Sequence, residues 1–514
     1  MVPDSEVWWM FIPLPDTGHV PPRLPERVCH RAVEARDSRF DGVFYVGVTT
    51  THIYCRPICP SRQANPEHRR FFASPAGAER QGFRPCLRCR PELAPGRGLV
   101  DAVSRLASTA AQKIAAGALN GCSVGSLAAD LCVSERHLRR ALKRELGVSP
   151  VELAQTHRLL LAKRLLADTE LDMSRVAYAS GFQSLRRFNA AFREQYRMSP
   201  TALRERTGSD DGLENGSAAA ADEPRSEPIE LTLAYRAPFA WDRIVEFLGA
   251  EATPGVEMVE GSRYGRTACI DGRCGTVVAE DLPKKEQVRI EVSASLVPVL
   301  MPLLARLRRS FDLDAEPAAI DAHLEESGLE TLVRRSPGIR VPGAFEGFEA
   351  ALLAMLRDAA GGAEPARELA GRVVRALGRP LESRVPSLDR LMPSAERVVE
   401  AGRRELIAVG VPRGRAGTIV DLATAVASGS LRLDPDGDVV ATRRALRRVT
   451  GTDERLAGAI VMRAVYWPDA LPARDPALQH RAGATSEREL LALAEAWRPW
   501  RAYAAMHLRL GTAA

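Results

Sequence analysis

The chain has 514 residues, of which 71 are Lys or Arg and 65 are Asp or Glu, so its formal net charge is +6. A chain of this length exceeds what one hydrophobic core supports, and we expect three or four domains. The composition is ordinary for globular proteins, and no uninterrupted apolar run is long enough to cross a membrane. The apolar start lacks a basic flank and is cut short by prolines, so it is not a signal peptide. These features exclude a membrane protein and predict a cytoplasmic one.

Four of the nine cysteines form two close pairs. Three residues separate Cys55 from Cys59, and two separate Cys86 from Cys89. Thiolates at such spacings bind Zn²⁺ tetrahedrally once the chain between them brings the two pairs together. The alternative, two unrelated pairs of buried thiols, is disfavoured by the short spacings and the flanking prolines. The sequence therefore predicts zinc as the cofactor, with these four cysteines as ligands.

The remaining cysteines are assigned no chemistry. Cys122 and Cys132 fall in a helical region, where a free thiol behaves as a small hydrophobic group. Cys269 and Cys274 are placed to bracket a hairpin turn. Without an export signal, all of these thiols are expected to stay reduced.

Cys29 is followed by His30 and Arg31, which resembles the acceptor motif of the guanine-O6 methyltransferases. Val28 stands where that motif has proline, and the domain that surrounds the motif has no counterpart in this chain. We therefore predict no base-repair methyltransferase and place Cys29 in the first helix.

Seven arginines lie close to the paired cysteines in the sequence. Their side chains would offset the negative charge of a zinc–thiolate site, and they would also bind phosphates. They are Arg56, Arg62, Arg69, Arg70, Arg84, Arg88 and Arg90. Residues 49–62 (TTTHIYCRPICPSR) and 82–89 (GFRPCLRC) closely resemble the N-terminal zinc domain of the Ada methylation-response proteins. The resemblance covers about residues 28–95.

This resemblance implies that Cys55 takes the methyl group of a methylphosphotriester in the DNA backbone, while the other three cysteines hold the metal. It also implies that Arg62, Arg84 and Arg88 bind backbone phosphates, and we predict Arg56 as a further DNA contact. A generic basic face is the alternative for any one of these arginines. Methylation would remove one negative charge from the metal site, so that the site repels DNA less.

Residues 98–206 contain an internal repeat, whose two units end in Ser-Pro pairs 50 residues apart. Each unit combines a short apolar helix, a tight turn at Cys132-Val133 or Gly181, and a second helix with Ser134 or Ser184 as N-cap. This pattern is typical of a helix-turn-helix. The second helices carry side chains suited to a major groove and its phosphates: Arg136, His137, Arg139, Arg140, Arg186, Arg187 and Asn189.

The segment resembles the double helix-turn-helix domain of AraC-type activators. The resemblance implies that one chain, acting as a monomer, reads two successive major-groove turns of a promoter. Double-stranded DNA and RNA polymerase are the expected partners. A solvated basic helix face is the alternative for each residue singly.

Residues 207–228 are polar, small and acidic and predict a flexible tether. Strand-like stretches at 230–233, 266–270 and 288–292, with a helix near 241–248, predict a small antiparallel sheet with helices on one face. Beyond about residue 298 the chain reads as helical. Core residues are predicted from their helical spacing: Leu300, Leu303, Leu304, Leu307, Leu352, Leu353, Leu356, Ile407, Val411, Ile419 and Leu422.

Residues 235–241 (YRAPFAW), 254–257 (PGVE), 337–343 (PGIRVPG) and 497–503 (WRPWRAY) resemble the AlkA-type alkylbase DNA glycosylases. The resemblance covers about residues 229–510 and implies a helix-hairpin-helix enzyme that flips a damaged base and cuts its glycosidic bond. The hairpin would be residues 449–453, where the backbone N–H at Gly451 contacts a phosphate. Asp475 would stabilise the cationic sugar of the transition state.

Several positions depart from that family. Asp453 stands where the second hairpin glycine is expected, and residues 358–362 lack a side chain able to fill the gap left by a flipped nucleotide. Asp469 is an alternative carboxylate with a poorer spacing. The positions of the base-stacking aromatics carry Arg455, Ala459 and Arg509. Two interpretations stay open: a glycosylase of altered or reduced activity, and a noncatalytic module that docks on DNA.

The sequence thus predicts a multidomain, mostly α protein with α+β parts. The predicted order is a leader (1–27), a four-cysteine zinc methyl-acceptor domain (28–97), an AraC-type double helix-turn-helix domain (98–206), a linker (207–228), an AlkA-like α+β subdomain (229–315) and a helix-hairpin-helix bundle (316–514). The predicted function is an adaptive response to DNA alkylation, in which a suicidal methyltransferase becomes a transcription activator and a glycosylase excises alkylated purines. The alternative is a zinc-containing regulator whose last domain only docks on DNA.

Overall fold

The computed structural model describes residues 24–95, 105–208, 227–435 and 438–511. The predicted leader up to residue 23 and the predicted tether from 209 to 226 lie outside the described residues. Within the described ranges, helices predominate and the strands form two sheets. None of the helices in these ranges combines the length and apolar character that a membrane crossing requires.

The first described unit is built around a four-stranded sheet. Its elements are α1 (Glu26–Ala35), β1 (Tyr45–Val48), β2 (Ile53–Cys55), β3 (Arg69–Phe72), α2 (Pro75–Arg80) and β4 (Arg84–Pro85). The strand order is β3-β1-β2-β4, with β1 antiparallel to both neighbours and β2 parallel to β4. Cys29 is buried in α1 among Phe44 and Phe71, which confirms its predicted place in the first helix. Because β2 and β4 are parallel, their C-terminal ends lie side by side.

Seven helices follow, and they form the predicted pair of helix-turn-helix units. They are α3 (Arg105–Ala115), α4 (Val124–Asp130), α5 (Glu135–Leu146), α6 (Pro150–Asp168), α7 (Met173–Ala179), α8 (Leu185–Tyr196) and α9 (Pro200–Gly208). The turns occur where predicted, with φ of +55° at Cys132 and +89° at Gly181. The hydroxyls of Ser134 and Ser184 accept the N–H groups of His137 and Arg187, so both predicted N-caps are confirmed.

The two units bury equivalent faces of their second helices. In α5 the buried side chains are Leu138, Leu142 and Leu146, and in α8 they are Phe188, Phe192 and Tyr196. The same spacing of four residues in both helices leaves the intervening basic positions on the opposite face.

The second sheet begins after the undescribed stretch that ends at residue 226. Its elements are β5 (Ile229–Ala234), α10 (Trp241–Glu251), β6 (Glu257–Glu260), β7 (Arg263–Ile270), β8 (Arg273–Leu282) and β9 (Gln287–Val292). The sheet is antiparallel in the order β5-β9-β8-β7-β6. The predicted antiparallel sheet is confirmed, although β6 and β8 were not predicted. Strand β8 was missed because its polar ends obscure its apolar centre.

The predictions for four of the remaining cysteines need correction. Cys269 and Cys274 do bracket the turn between β7 and β8, but the structure joins them in a disulfide, so they are not two reduced thiols. Cys122 and Cys132 are exposed instead of packed as small hydrophobic groups. Cys122 lies just before α4 and Cys132 lies just after it, at positions where the chain runs along the surface.

The rest of the described chain is helical, as predicted. The helices are α11 (Leu300–Ser310), α12 (Pro317–Leu324), α13 (Glu330–Arg335), α14 (Gly347–Ala360), α15 (Ala363–Leu377), α16 (Ala395–Ala408), α17 (Arg413–Ala427), α18 (Val439–Thr450), α19 (Glu454–Ala464), α20 (Pro476–Arg481), α21 (Glu487–Leu493) and α22 (Arg501–Leu510). The predicted leucine, isoleucine and valine core is confirmed, with Leu353 and Ile407 only partly buried.

Helix α6 connects the three parts of the molecule. Lys163 is 2% exposed and its ammonium group donates to the carbonyl oxygen of Cys86 at 3.1 Å. The next residue, Arg164, donates to the carbonyl oxygen of Thr232 in β5. The adjacent cations on α6 therefore bind the cysteine-bearing domain on one side and the second sheet on the other.

Candidate metal centre and DNA-binding sites

The two cysteine pairs meet at the ends of β2 and β4. Cys55 is the last residue of β2, and Cys86 follows β4 directly, while the register of the strands aligns Tyr54 with Pro85. The sulfur atoms of Cys55, Cys59, Cys86 and Cys89 all lie within 4.8 Å of one another. A tetrahedral zinc with Zn–S bonds of about 2.3 Å requires sulfur separations of roughly 3.8 Å. The four thiols therefore fit a zinc ion with small adjustments of their side chains.

Cys55 differs from the other three cysteines in exposure. Cys59, Cys86 and Cys89 are 9%, 7% and 7% exposed, whereas Cys55 is only partly buried. Cys55 is thus the least buried residue of the cluster.

The arginine next to Cys55 is turned into the domain. The Arg56 guanidinium is 13% exposed and forms an ion pair with Asp41, with its Nε 2.8 Å from the carboxylate. Its backbone N–H donates to the sulfur of Cys89 at 3.4 Å. The Arg56 charge is thus paired with a buried carboxylate, and its backbone ties the residue after Cys55 to Cys89. The DNA contact predicted for Arg56 stays a prediction.

The other three predicted phosphate-binding arginines are placed differently. Arg62 and Arg88 are exposed, and Arg84 is intermediate. Each lies within three residues of a cluster cysteine in the sequence. The structure thus keeps basic side chains at the surface near the cluster, as phosphate binding requires.

Buried charged side chains connect the cysteine-bearing domain to α6. The sequence analysis did not predict Lys163, Glu92 and Glu79 in this role. The Lys163 ammonium group lies 2.6 Å from a carboxylate oxygen of Glu92, which in turn lies 3.1 Å from the Arg90 Nε. Glu79 accepts hydrogen bonds from Tyr54 in β2 and Thr156 in α6, and burial raises the pKa of Glu79 to about 7. The signal available in the sequence was the Lys163-Arg164 pair inside an otherwise apolar helix.

The predicted recognition residues lie on the outer faces of α5 and α8. Arg136, His137, Arg139 and Arg140 are exposed, as are Arg186 and Arg187, and Asn189 is intermediate. Arg139 forms an ion pair with Glu135 one turn earlier. Both second helices therefore present cationic side chains to solvent, opposite the faces that they bury.

Asp475, the carboxylate predicted to act in the glycosylase reaction, already has hydrogen-bond and ion-pair partners in the structure. Asp475 is the N-cap of α20, where its Oδ1 accepts the N–H of Ala477 at 3.0 Å. Its other oxygen lies 2.7 Å from a guanidinium nitrogen of Arg509. The alternative carboxylate, Asp469, is more enclosed and pairs with Arg501 at 2.7 Å. Asp475 is thus the more accessible of the two, but an arginine partly neutralises it.

The predicted hairpin joins α18 to α19. Gly451 ends α18 with a φ of +61°, a conformation that favours glycine. Asp453 does not extend freely toward a phosphate, because its carboxylate caps α19 by accepting the N–H of Leu456 at 2.9 Å. Arg455 forms an ion pair with Asp358 at the end of α14, which Arg415 also contacts at 2.5 Å.

A basic groove of about 420 Å³ runs beside this hairpin and was not predicted. It is lined by Val440, Arg443, Arg444, Arg447, Arg448, Gly451, Thr452 and Glu454. The signal in the sequence was the Arg-Arg-x-x-Arg-Arg spacing, which puts successive arginines on neighbouring turns of α18. Such a groove suits the anionic backbone of DNA.

A four-thiol centre, a double helix-turn-helix and a helix-hairpin-helix bundle on one chain define a class of modular DNA repair regulators. Three family models match the chain: the metal binding domain of Ada over residues 28–92, a helix-turn-helix domain over 127–206 and the AlkA N-terminal domain over 230–346. With the sulfur geometry, the first match identifies the cluster as a zinc site.

Similar proteins include a probable bifunctional transcriptional activator/DNA repair enzyme AlkA of Mycobacterium tuberculosis, 36% identical over 485 residues, which cover 93% of this chain and 95% of that protein. The DNA-3-methyladenine glycosylase 2 of Escherichia coli is 29% identical and matches 54% of this chain and 95% of its own length. The bifunctional transcriptional activator/DNA repair enzyme Ada of Escherichia coli is 33% identical over 27% of this chain and 38% of its own length. The chain belongs to the family of AlkA-type bifunctional transcriptional activator/DNA repair enzymes.

Proposed function

We propose that the chain repairs methylphosphotriesters in DNA by an irreversible methyl transfer to Cys55 and then acts as a transcription activator. The observation that carries the proposal is the four-thiol cluster itself, in which Cys55 is the least buried residue. The relatives named as bifunctional activators and DNA repair enzymes support it.

The proposed step is a displacement at carbon. The Cys55 sulfur forms a bond to the methyl carbon while the bond between that carbon and the phosphate oxygen breaks, so an ordinary phosphodiester anion leaves. Zinc, when bound, keeps the four thiols deprotonated at neutral pH. No general base is needed, because the nucleophile carries no proton. The thioether product has no charge, so the site loses one negative charge and repels DNA less.

Exposed arginines would position the DNA for this step. Arg62, Arg84 and Arg88 are proposed to hold phosphates beside the lesion, and the outer faces of α5 and α8 to bind two major-groove turns of a promoter. In this proposal double-stranded DNA is the partner, the chain acts as a cytoplasmic monomer, and RNA polymerase is recruited at the promoter. The proposed units are those of the sequence analysis, 28–97, 98–206 and 229–514.

The intact mass of the full chain after incubation with a methylphosphotriester duplex tests the transfer. We expect a gain of one CH₂ per chain and no further gain with excess DNA, since the acceptor is consumed. The Cys122→Ser variant is the matched control, because Cys122 is an exposed thiol outside the cluster. An unchanged mass after incubation would refute the proposal.

For the C-terminal half we propose excision of alkylated purines, with Asp475 stabilising the cationic sugar. The similarity to a DNA-3-methyladenine glycosylase and the accessibility of Asp475 relative to Asp469 support this assignment. Gly451 and the arginines of α18 would hold the DNA backbone. The Arg509–Asp475 pair favours a second candidate, a module that docks on DNA without cutting it, because the carboxylate is already compensated.

An alkylpurine excision assay on the full chain, with Asp475→Asn beside it, separates these candidates. If the natural chain excises alkylpurines and the rate falls at least about a hundredfold in Asp475→Asn, the glycosylase proposal is supported. The variant lacks the negative charge that stabilises the transition state. Absence of excision from both, with DNA binding retained, supports the docking module.

A further inference from the structure

The disulfide between β7 and β8 follows from the turn that joins these strands. Asp271 and Gly272 have φ of +48° and +76°, as in the two-residue hairpins favoured by Asp-Gly. This turn pairs Ile270 with Arg273 and then Cys269 with Cys274. The second pair is a non-hydrogen-bonded one, in which side chains lie closest, and the Cα atoms of the two cysteines are 4.1 Å apart. The strand register therefore places the two cysteine side chains directly opposite each other.

A cation from a distant part of the chain contacts both sulfurs. One guanidinium nitrogen of Arg379, which follows α15, lies 3.3 Å from the sulfur of Cys269 and 3.0 Å from that of Cys274. The carbonyl oxygen of Arg379 accepts the N–H of Leu391 at 2.9 Å, and the carbonyl oxygen of the adjacent Arg390 accepts the Thr267 hydroxyl in β7 at 2.8 Å. The arginine is thus held at the sulfur pair by the fold.

We propose that Cys269 and Cys274 form an oxidisable dithiol that exchanges with low-molecular-weight disulfides, and that Arg379 stabilises the attacking thiolate. Both cysteines are partly exposed, so a small disulfide can reach them. A guanidinium beside a sulfur favours its anionic form, which is the nucleophile in disulfide exchange. This site lies in the second sheet and is independent of the zinc cluster.

The reaction has two steps. One cysteine thiolate attacks a sulfur of the small disulfide, forming a mixed disulfide and releasing one thiolate. The second cysteine then attacks its neighbour's sulfur, which closes the Cys269–Cys274 bond and releases the other half as a second thiolate. The two protons lost by the cysteines end on the two released thiols, and the small disulfide is the species reduced.

The test uses the reduced, zinc-loaded full chain with oxidised glutathione as the probe. Trypsin cuts between the two cysteines at Arg273, so closure is detected as a disulfide that joins peptides 267–273 and 274–284. We expect this cross-link in the natural chain and a stable mixed disulfide with glutathione on Cys269 in the Cys274→Ser variant.

The role of Arg379 is tested by the rate of the reaction at neutral pH. Arg379→Ala should slow capture by roughly threefold, since loss of the guanidinium lowers the fraction of thiolate while the remaining thiolate becomes more nucleophilic. Arg379→Lys should retain most of the rate, and Arg367→Ala, an exposed position on α15, should leave it unchanged. Failure of the natural chain to join the two peptides, or equal rates for Arg379→Ala and the natural chain, would overturn the proposal.

Discussion

The zinc cluster and the Asp475 site place their reactive groups in opposite surroundings. Cys55 is the least buried residue of its cluster, and the arginine beside it, Arg56, is paired with Asp41. Asp475, by contrast, is bound by Arg509 at 2.7 Å. A nucleophile has to be reached by its substrate, whereas a carboxylate that stabilises a cation acts best when its charge is uncompensated. Arg509 therefore compensates the charge that the second reaction needs, whereas the arginine beside Cys55 is already paired with Asp41.

The largest expected effect is at the cluster. Cys55→Ser should abolish methyl transfer, because a serine hydroxyl is not ionised at neutral pH and is a far weaker nucleophile than a thiolate. The measurement is intact mass after exposure to a methylphosphotriester duplex, with zinc content determined in parallel. Transfer that persists in this variant at the natural rate would mean that the exposed sulfur is not the acceptor.

Arg509→Ala should raise alkylpurine excision about tenfold, a barrier change of ~1.4 kcal/mol, because it releases the Asp475 carboxylate from a neighbouring positive charge. Single-turnover excision rates measure this effect, with Arg488→Ala, an exposed position on α21, as the control. A fall in the rate would show that Arg509 assists the chemistry, and the contrast between the two regions would be lost.

The two regions also differ in how far the sequence predicted them. The cluster was predictable, because two cysteine pairs with two or three intervening residues bind one ion once the chain brings the pairs together, as the parallel pairing of β2 and β4 does. The helix-turn-helix units were predictable from N-caps and from turns that need a positive φ. The pairings of Arg56 with Asp41 and of Arg509 with Asp475 were not, because each joins residues 15 or 34 positions apart whose approach depends on tertiary packing.

The exposed arginines near the cluster give a smaller effect. Arg88→Ala should weaken binding of methylphosphotriester DNA by about fivefold and reduce the slope of log affinity against log salt by roughly one, as expected for one lost phosphate contact. Arg31→Ala, at an exposed position of α1, is the control within the same domain. An unchanged salt slope in Arg88→Ala would remove this residue from the proposed DNA surface.

The smallest expected effect is on the free energy of unfolding, through Glu79, a buried residue that contacts β2 and α6. Burial raises the pKa of Glu79 from 4.5 to about 7, so the folded state binds this proton more tightly than the unfolded state. The stability that this group contributes is present below pH 4.5 and is lost as the pH rises through about 7. Glu79→Gln should therefore gain roughly 1–3 kcal/mol relative to the natural chain at pH 8 compared with pH 5.

Thermal unfolding at the two pH values measures the gain, and Glu67→Gln is the control because the Glu67 side chain is 72% exposed. The same difference between Glu79→Gln and the natural chain at both pH values would mean that Glu79 is ionised throughout. In that case the hydrogen bonds from Tyr54 and Thr156 would hold the Glu79 carboxylate in its ionised form.

Locating the transferred methyl group among the four cluster cysteines identifies the acceptor residue directly. The full chain is saturated with methylphosphotriester DNA, digested and sequenced by tandem mass spectrometry, so that Cys55 and Cys59 are resolved within their shared peptide. We expect one methyl group per chain, all of it on Cys55. A methyl group on Cys59, Cys86 or Cys89 would show that Cys55 is not the acceptor.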